Sequence, residues 1–199
     1  MIYTDHPDVQ AALFDIDGTL TTGGPVWEAL IHAPDVARLR KAWLYATGLP
    51  HYLLNKAGLV DQARFRDRWV QLMAWLTTGW SHAQVEAISE KIVQQQLVPT
   101  LRVDVVDLVK RHKAQGHPVI LVSTMFTFIG ECLAQQVGAD TALGSVVAFT
   151  GTQCTGRISG ETCSGPRKSA FAARYLAEHL PEIGLEHCAV YADSGSDVS

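Results

Sequence analysis

The sequence has no apolar run approaching the roughly 18 residues that a membrane span needs, and no repeat or low-complexity tract. It also lacks a positive balance. Sixteen basic residues against twenty acidic ones leave a formal net charge of −4. That argues against nucleic acid or an anionic membrane as a dominant partner, because both need a basic surface. The four cysteines (Cys132, Cys154, Cys163 and Cys188) show no CxxC or Cys/His ligand spacing, so they define no zinc site. The opening MIYTDHPDVQ has neither a basic start nor an apolar stretch and does not read as an export signal. Reduced thiols in a cytoplasm are therefore expected. What is present, 199 residues with 47% hydrophobic and 18% charged, is the balance of a globular chain with a real core.

The organisation changes along the chain. All five tryptophans fall between Trp27 and Trp80. The first element is Ala11-Ala12-Leu13-Phe14, a short apolar run that ends abruptly in Asp15-Ile16-Asp17-Gly18-Thr19 and predicts a buried strand opening into a loop. From about Pro25 to Val98 the signals are helical. Phe65, Trp69, Leu72 and Leu76 recur at helical spacing, and Ser81-His82-Ala83-Gln84 has the capping-box form that starts a helix running towards Leu97. Pro34, Pro50, Gly58 and Gly79 are expected to divide the stretch into short helices. The tryptophans read as packing of this small bundle.

After Pro99 helices and strands alternate. Leu101–Gln115 predicts a helix stopped by Gly116, and Pro118–Val122 a buried strand ending at Ser123-Thr124. A helix to about Val137 follows, stopped by Gly138. Residues 146–159 predict a hairpin, Pro166 opens another helix, and Cys188–Ala192 predicts a strand ending at Asp193. This pattern implies an α/β fold: a doubly wound, mostly parallel Rossmann-like sheet with a helical cap inserted after the first strand. The expected division is a core of residues 1–20 and 99–199 and a cap of residues 21–98.

Three strands thus end in polar clusters: Asp15/Asp17, Ser123/Thr124 and Asp193/Asp197. Ligands of open parallel sheets bind at the carboxyl ends of the strands, where these clusters can converge. Four carboxylates in one crevice require a cation, and hard oxygen donors select Mg²⁺. A phosphate fits beside such a metal, with a hydroxyl, backbone N–H groups and Lys168 to hold its oxygens. That combination describes phosphoryl transfer.

The chain resembles the haloacid dehalogenase-like (HAD) phosphohydrolases, most closely the phosphoserine-phosphatase-like branch, subfamily IB. The resemblance rests on Phe14-Asp15-Ile16-Asp17-Gly18-Thr19-Leu20, Leu121-Val122-Ser123-Thr124, Gly165-Pro166-Arg167-Lys168 and Tyr191-Ala192-Asp193-Ser194-Gly195-Ser196-Asp197. These stand in the family order, with the helical insert between the first two. Thr155-Gly156-Arg157-Ile158 and Cys163-Ser164-Gly165 add to it. The resemblance implies hydrolysis of a small-molecule phosphate ester through an aspartyl-phosphate. Asp15 would be the nucleophile, and Asp17 the general acid and then the base. It further implies Mg²⁺ held by the Asp15 carboxylate, the Asp17 carbonyl and Asp193, with Asp197 in support. Gly18, Ser123, Thr124 and Lys168 would bind phosphate. Arg68 matches a substrate-contacting arginine of the branch; with Arg64, four residues earlier, it equally reads as a solvated helix face. Arg167 is the competing cation beside Lys168.

Two departures stand out. The branch carries a substrate-binding glutamate shortly after the first motif, whereas Thr21–Pro25 contains no carboxylate and the next is Glu28. Family members also continue past the last motif, so Ser199 suggests a shortened form whose Cys188–Ala192 strand lies at an unprotected sheet edge. Two rivals share the motifs: a phosphotransferase using the same intermediate, and a non-catalytic phosphate- or partner-binding relative. Nothing in the pattern sets an oligomeric state.

Overall fold

The computed structural model describes residues 2–3, 8–56, 58 and 61–193. The sheet is built around β2 (Ala11–Asp15), every residue of which is buried. Parallel neighbours flank it: β3 (Val119–Phe126) pairs Asp15 with Val122, and β7 (Cys188–Ala192) pairs Phe14 with Tyr191. The strand order is β1-β7-β2-β3-β4, where β4 is Thr141–Ser145 and β1 is Ile2–Tyr3. Strand side chains alternate between the faces, and the two faces bury separate cores. Ala12, Phe14, Leu121 and Tyr191 join the larger core, which includes α5 (Val103–Ala114) and α6 (Thr127–Val137). Leu13, Ile120, Val122 and Cys188 pack instead with Phe171, Ala172 and Leu176 of α7 (Arg167–His179). Helices on both faces of a mostly parallel sheet are the predicted architecture.

The helical stretch comprises α1 (Val26–Ile31), α2 (Arg38–Lys56), α3 (Gln62–Leu76) and α4 (His82–Ile92), followed by a wider turn over Val93–Leu97 and a tighter one over Val98–Thr100. Ser81 starts α4 as expected. Its hydroxyl accepts from the Gln84 N–H at 3.3 Å, and the Gln84 side chain accepts from the Ser81 N–H at 3.0 Å. Pro50 does not divide the stretch: α2 runs through it. Pro50 and Ala46, whose carbonyl loses its helical partner, are both exposed, so water can take that bond. Gly48 faces the Trp69 ring, and a Cβ there would stand 3.6 Å from it, so α2 lies close along α3.

The tryptophans are mostly packing residues. Trp80 is buried and Trp27 meets Phe126 edge-on, while Trp43 is about half exposed and packs against Trp75. Residues 153–158 pair with β5 (Val147–Thr150) as β6 (Gln153–Ile158), the expected hairpin. All four cysteines are unbridged. The Cys188–Ala192 strand is not left as an edge: β1 lies antiparallel on it, with Ile2 opposite Ala192. The chain leaves the sheet and returns to it at one place. Thr21 and Leu101 form an antiparallel bridge, with the Thr22 N–H donating to the Thr100 carbonyl and the Arg102 N–H to that of Leu20, each at 2.9 Å.

Candidate active site

Asp15 is the last residue of β2, and its buried side chain points out of the strand end, where ligands of parallel sheets are received. Lys168, in the first turn of α7, reaches across the crevice: its Nζ donates to Asp15 Oδ1 at 2.7 Å, and both side chains are almost fully buried. Pro166 caps α7 and gives the helix its start, which fixes where the lysine emerges. The neighbouring cation Arg167 is turned away, towards α3.

Asp17 sits in the turn after β2. Its side chain reaches solvent, yet the walls of the crevice strip enough water from it to raise its pKa above the ordinary carboxylate range. Lys168 opposes that rise and the nearby Asp193 charge adds to it. Gly18 follows with φ +81° and carries Asp193 against its backbone: a Cβ there would stand 2.3 Å from Asp193 Oδ2. Only glycine lets the β2 turn and the end of β7 approach this closely. Asp15, Asp17, Gly18, Lys168 and Asp193 are thereby brought together, while Asp197 lies outside the described residues.

Ser123 is not at the end of its strand. β3 continues to Phe126 through a shift in its pairing with β4, and α6 is capped at Phe126, so Ser123 caps no helix. One residue beyond the partner of Asp15, the buried Ser123 hydroxyl accepts from the Met125 N–H at 3.2 Å. The Thr124 carbonyl accepts from the Ser145 hydroxyl at 3.1 Å. Both lie on the strand beside Asp15.

Among the described residues, no three carboxylate, imidazole or thiol groups stand preassembled around a metal position. The set implied by the resemblance needs fewer side chains: the Asp15 and Asp193 carboxylates with the Asp17 main-chain oxygen. All are hard oxygen donors, a chemistry that fits Mg²⁺. Cys163 lies against Lys168 and Asp15, but burial pushes its thiol up to about 12, so it is a neutral packing group and no rival nucleophile.

Arg68 is exposed on α3. Its neighbour Asp67 does reach the core. Asp67 Oδ1 accepts from Thr162 Oγ1 at 2.5 Å, from Ser164 Oγ at 2.8 Å and from the Arg167 guanidinium. Arg167 also donates to both hydroxyls at 2.7 Å. Partial burial works against the Asp67 charge, but the two hydroxyls and the guanidinium outweigh it and hold the carboxyl below its ordinary range. This clasp was not legible beforehand, because its partners lie about a hundred residues apart and Asp67 belongs to no motif.

The chain belongs to the haloacid dehalogenase-like hydrolase family, whose model matches residues 12–199. One curated relative, a probable phosphatase of Mycobacterium tuberculosis, is 31% identical over 149 residues, which are 74% of this chain and 49% of the relative. The phosphoserine phosphatase SerB1 of the same organism is 28% identical over 195 residues, 94% of this chain and 60% of that one. The chain therefore spans about half the length of the curated relatives it matches. Among solved structures, a protein of unknown function from Bordetella pertussis Tohama I superposes with a TM-score of 0.77 at 22% identity, covering 96% of this chain and 84% of its own. An aspartyl-phosphate-intermediate analogue of phosphoserine phosphatase gives 0.59 at 19% identity, covering 96% and 81%. These likenesses establish the fold.

Proposed function

We propose that the chain is a Mg²⁺-dependent phosphomonoesterase that works on a small phosphate ester through an aspartyl-phosphate on Asp15. The observation that carries this reading is the buried 2.7 Å contact of Lys168 with Asp15, with Asp17 and Asp193 at the same strand ends. A nucleophilic carboxylate needs no activating base at neutral pH. Its carboxyl oxygen attacks phosphorus, the bond to the ester oxygen breaks, and Asp17 gives its proton to the departing alkoxide. Asp17 then takes a proton from water, which attacks the phosphoryl group and frees inorganic phosphate and the Asp15 carboxylate. The raised pKa of Asp17 agrees with a group that must hold a proton while its neighbour does not. Lys168 neutralises the phosphoryl oxygens, and the Gly18 and Thr124 N–H groups with the Ser123 hydroxyl hold the others. Mg²⁺, when bound to Asp15, Asp193 and the Asp17 carbonyl, with Asp197 in support, supplies charge neutralisation at the transferring group.

Residues 21–98 serve in this reading as the cap over a core of 1–20 and 99–199. The paired crossing at Thr21 and Leu101 is where it would hinge, and the Asp67 clasp is where it would meet the core. Arg68 remains a candidate for the substrate end of that cap. With no carboxylate before Glu28, phosphoserine is one ester among several to be tried.

Phosphate release from p-nitrophenyl phosphate and a panel of small esters, with Mg²⁺ and with EDTA, tests the reading. Turnover should need the metal, vanish in Asp15→Asn and fall about 10²- to 10⁴-fold in Asp17→Asn. Metal-independent turnover, or full activity in Asp15→Asn, would overturn it.

A further inference from the structure

The net charge of the chain conceals an uneven distribution. Residues 38–76, which contain α2 and α3, hold seven of the sixteen basic residues but only two of the twenty acidic ones, Asp61 and Asp67. This stretch is therefore +5 while the rest of the chain is −9. Within it α2 carries Arg38, Arg40, Lys41 and Lys56 and no acidic residue at all.

The same helix carries most of the exposed large apolar side chains among the described residues. Among the described residues, eight large apolar side chains are exposed, and six of them are on α2: Leu39, Trp43, Tyr45, Tyr52, Leu53 and Leu54. At about 100° per residue, Leu39, Trp43, Ala46, Pro50 and Leu53 fall on one stripe, roughly opposite the buried Leu44 and Gly48 that face α3. Leu39 is 84%, Trp43 47% and Leu53 57% exposed. Arg38 and Lys56 are exposed beside this stripe at its two ends, and the Lys56 ammonium lies 5.4 Å from the Tyr52 ring centre. Arg40 and Lys41 turn inward to main-chain carbonyls and contribute their charge from there.

We propose that this face of α2 docks on an anionic lipid surface. The stripe enters the boundary between headgroups and acyl chains, while the exposed Arg38 and Lys56 beside it meet the headgroups. Three features favour this occupant. The helix is basic and free of acid, Leu39, Trp43 and Leu53 form one outward stripe, and the exposed Arg38 and Lys56 border it; together these are the marks of a helix that lies in a membrane interface. A second copy fits less well, because an antiparallel two-fold contact through the stripe brings Arg38 of one copy to Lys56 of the other. No helix of the described residues is long and apolar enough to cross a membrane. The proposal stands apart from the reading of Asp15 and Lys168.

The test is co-sedimentation of the full chain with phosphatidylcholine vesicles, with and without phosphatidylglycerol, at low and high salt. Light scattering and binding to polyglutamate run in parallel. Leu39→Glu/Leu53→Glu and Arg38→Glu/Lys56→Glu change only exposed side chains, and circular dichroism checks that each keeps its helices. The expected result is about tenfold tighter binding to the anionic vesicles at low salt, weakened by salt and lost by about tenfold in each double variant. Equal binding to both vesicle types overturns the proposal, as does binding that both variants retain. A concentration-dependent dimer abolished by Leu39→Glu/Leu53→Glu would assign the face to a second copy. Binding of polyglutamate with none to vesicles would assign it to an acidic protein.

Discussion

At the carboxyl ends of β2 and β7 charge is gathered and enclosed: the Asp15 carboxylate and the Lys168 ammonium are buried against one another, with Asp17 and Asp193 at the rim. Along α2 and α3 charge is spread out, with Arg38, Lys56, Arg64, Arg66 and Arg68 all exposed and no acidic residue in α2. The two regions consequently differ in how much rests on any single residue. An enclosed charge depends on its own partner, since removing that partner strands it in low dielectric. A solvated array works collectively, and each member contributes little to folding. The Asp67–Arg167 clasp lies between these extremes, with about a third of each side chain still open to water.

The largest effect should come from breaking the enclosed pair. Lys168→Ala, unfolded by urea in EDTA, should lose about 3–5 kcal/mol, because the buried Asp15 carboxylate loses its 2.7 Å contact with the ammonium. A loss below about 1 kcal/mol would mean that the crevice is as solvated as α2 and would erase the contrast.

A smaller effect is expected beneath the same strands. His112 of α5 bonds Tyr191 Oη at 2.8 Å through Nε2 and meets His117 Nδ1 at 2.9 Å, while Tyr191 stacks on Phe14 at 4.4 Å. Burial first, and then the His117 charge, hold the His112 pKa below its ordinary 6.5. Its folded-state pKa is depressed, so the stability it supplies is present above about 6.5 and is lost as pH falls through the lower folded value. His112→Phe should cost about 1–3 kcal/mol at neutral pH, by removing the imidazole that bonds the Tyr191 hydroxyl. It should also flatten the acid side of the stability curve. An unchanged pH dependence would show that the histidine titrates as freely as a surface one.

The smallest effect should come from the clasp. Its carboxylate is held below the usual range, so whatever it contributes is present above about pH 4 and lost as pH falls further. Asp67→Asn should cost less than about 1 kcal/mol, given the exposure of the pair. It should act mainly on KM, since it loosens α3 from the loop that precedes Lys168 and leaves the crevice groups in place. A fall in kcat as large as that of Asp17→Asn would place Asp67 in the chemistry.

The same contrast explains what was legible in the sequence. Cys188–Ala192 was readable residue for residue, because a buried parallel strand leaves an unbroken apolar run with a polar end. The Ser81 capping box and the Pro166 start are local chemistry and appeared where expected. So did the gathering of Asp15, Asp17, Gly18 and Asp193, since strand ends converge by the topology of the sheet. β1 escaped because two residues make no pattern. β4 escaped because Thr141–Ser145 alternates weakly and contains Gly144, which is there for backbone approach: a Cβ would stand 2.6 Å from the Met125 carbonyl oxygen. The length of α2 was missed because Pro50 reads as a breaker until its exposure is known. The basic character of α2 and α3 was hidden by averaging charge over the whole chain.

The bridge between Thr21 and Leu101 has a consequence for modularity. To the sheet, Leu20 is followed in space by Arg102, whatever the chain does in between. A segment whose two ends touch can vary in its outward-facing part without moving the strands it interrupts. The crevice chemistry and the surface that α2 presents can therefore diverge along separate lines, while main-chain bonds at Thr21–Leu101 and at Gly79–Cys154 keep them on the same molecule.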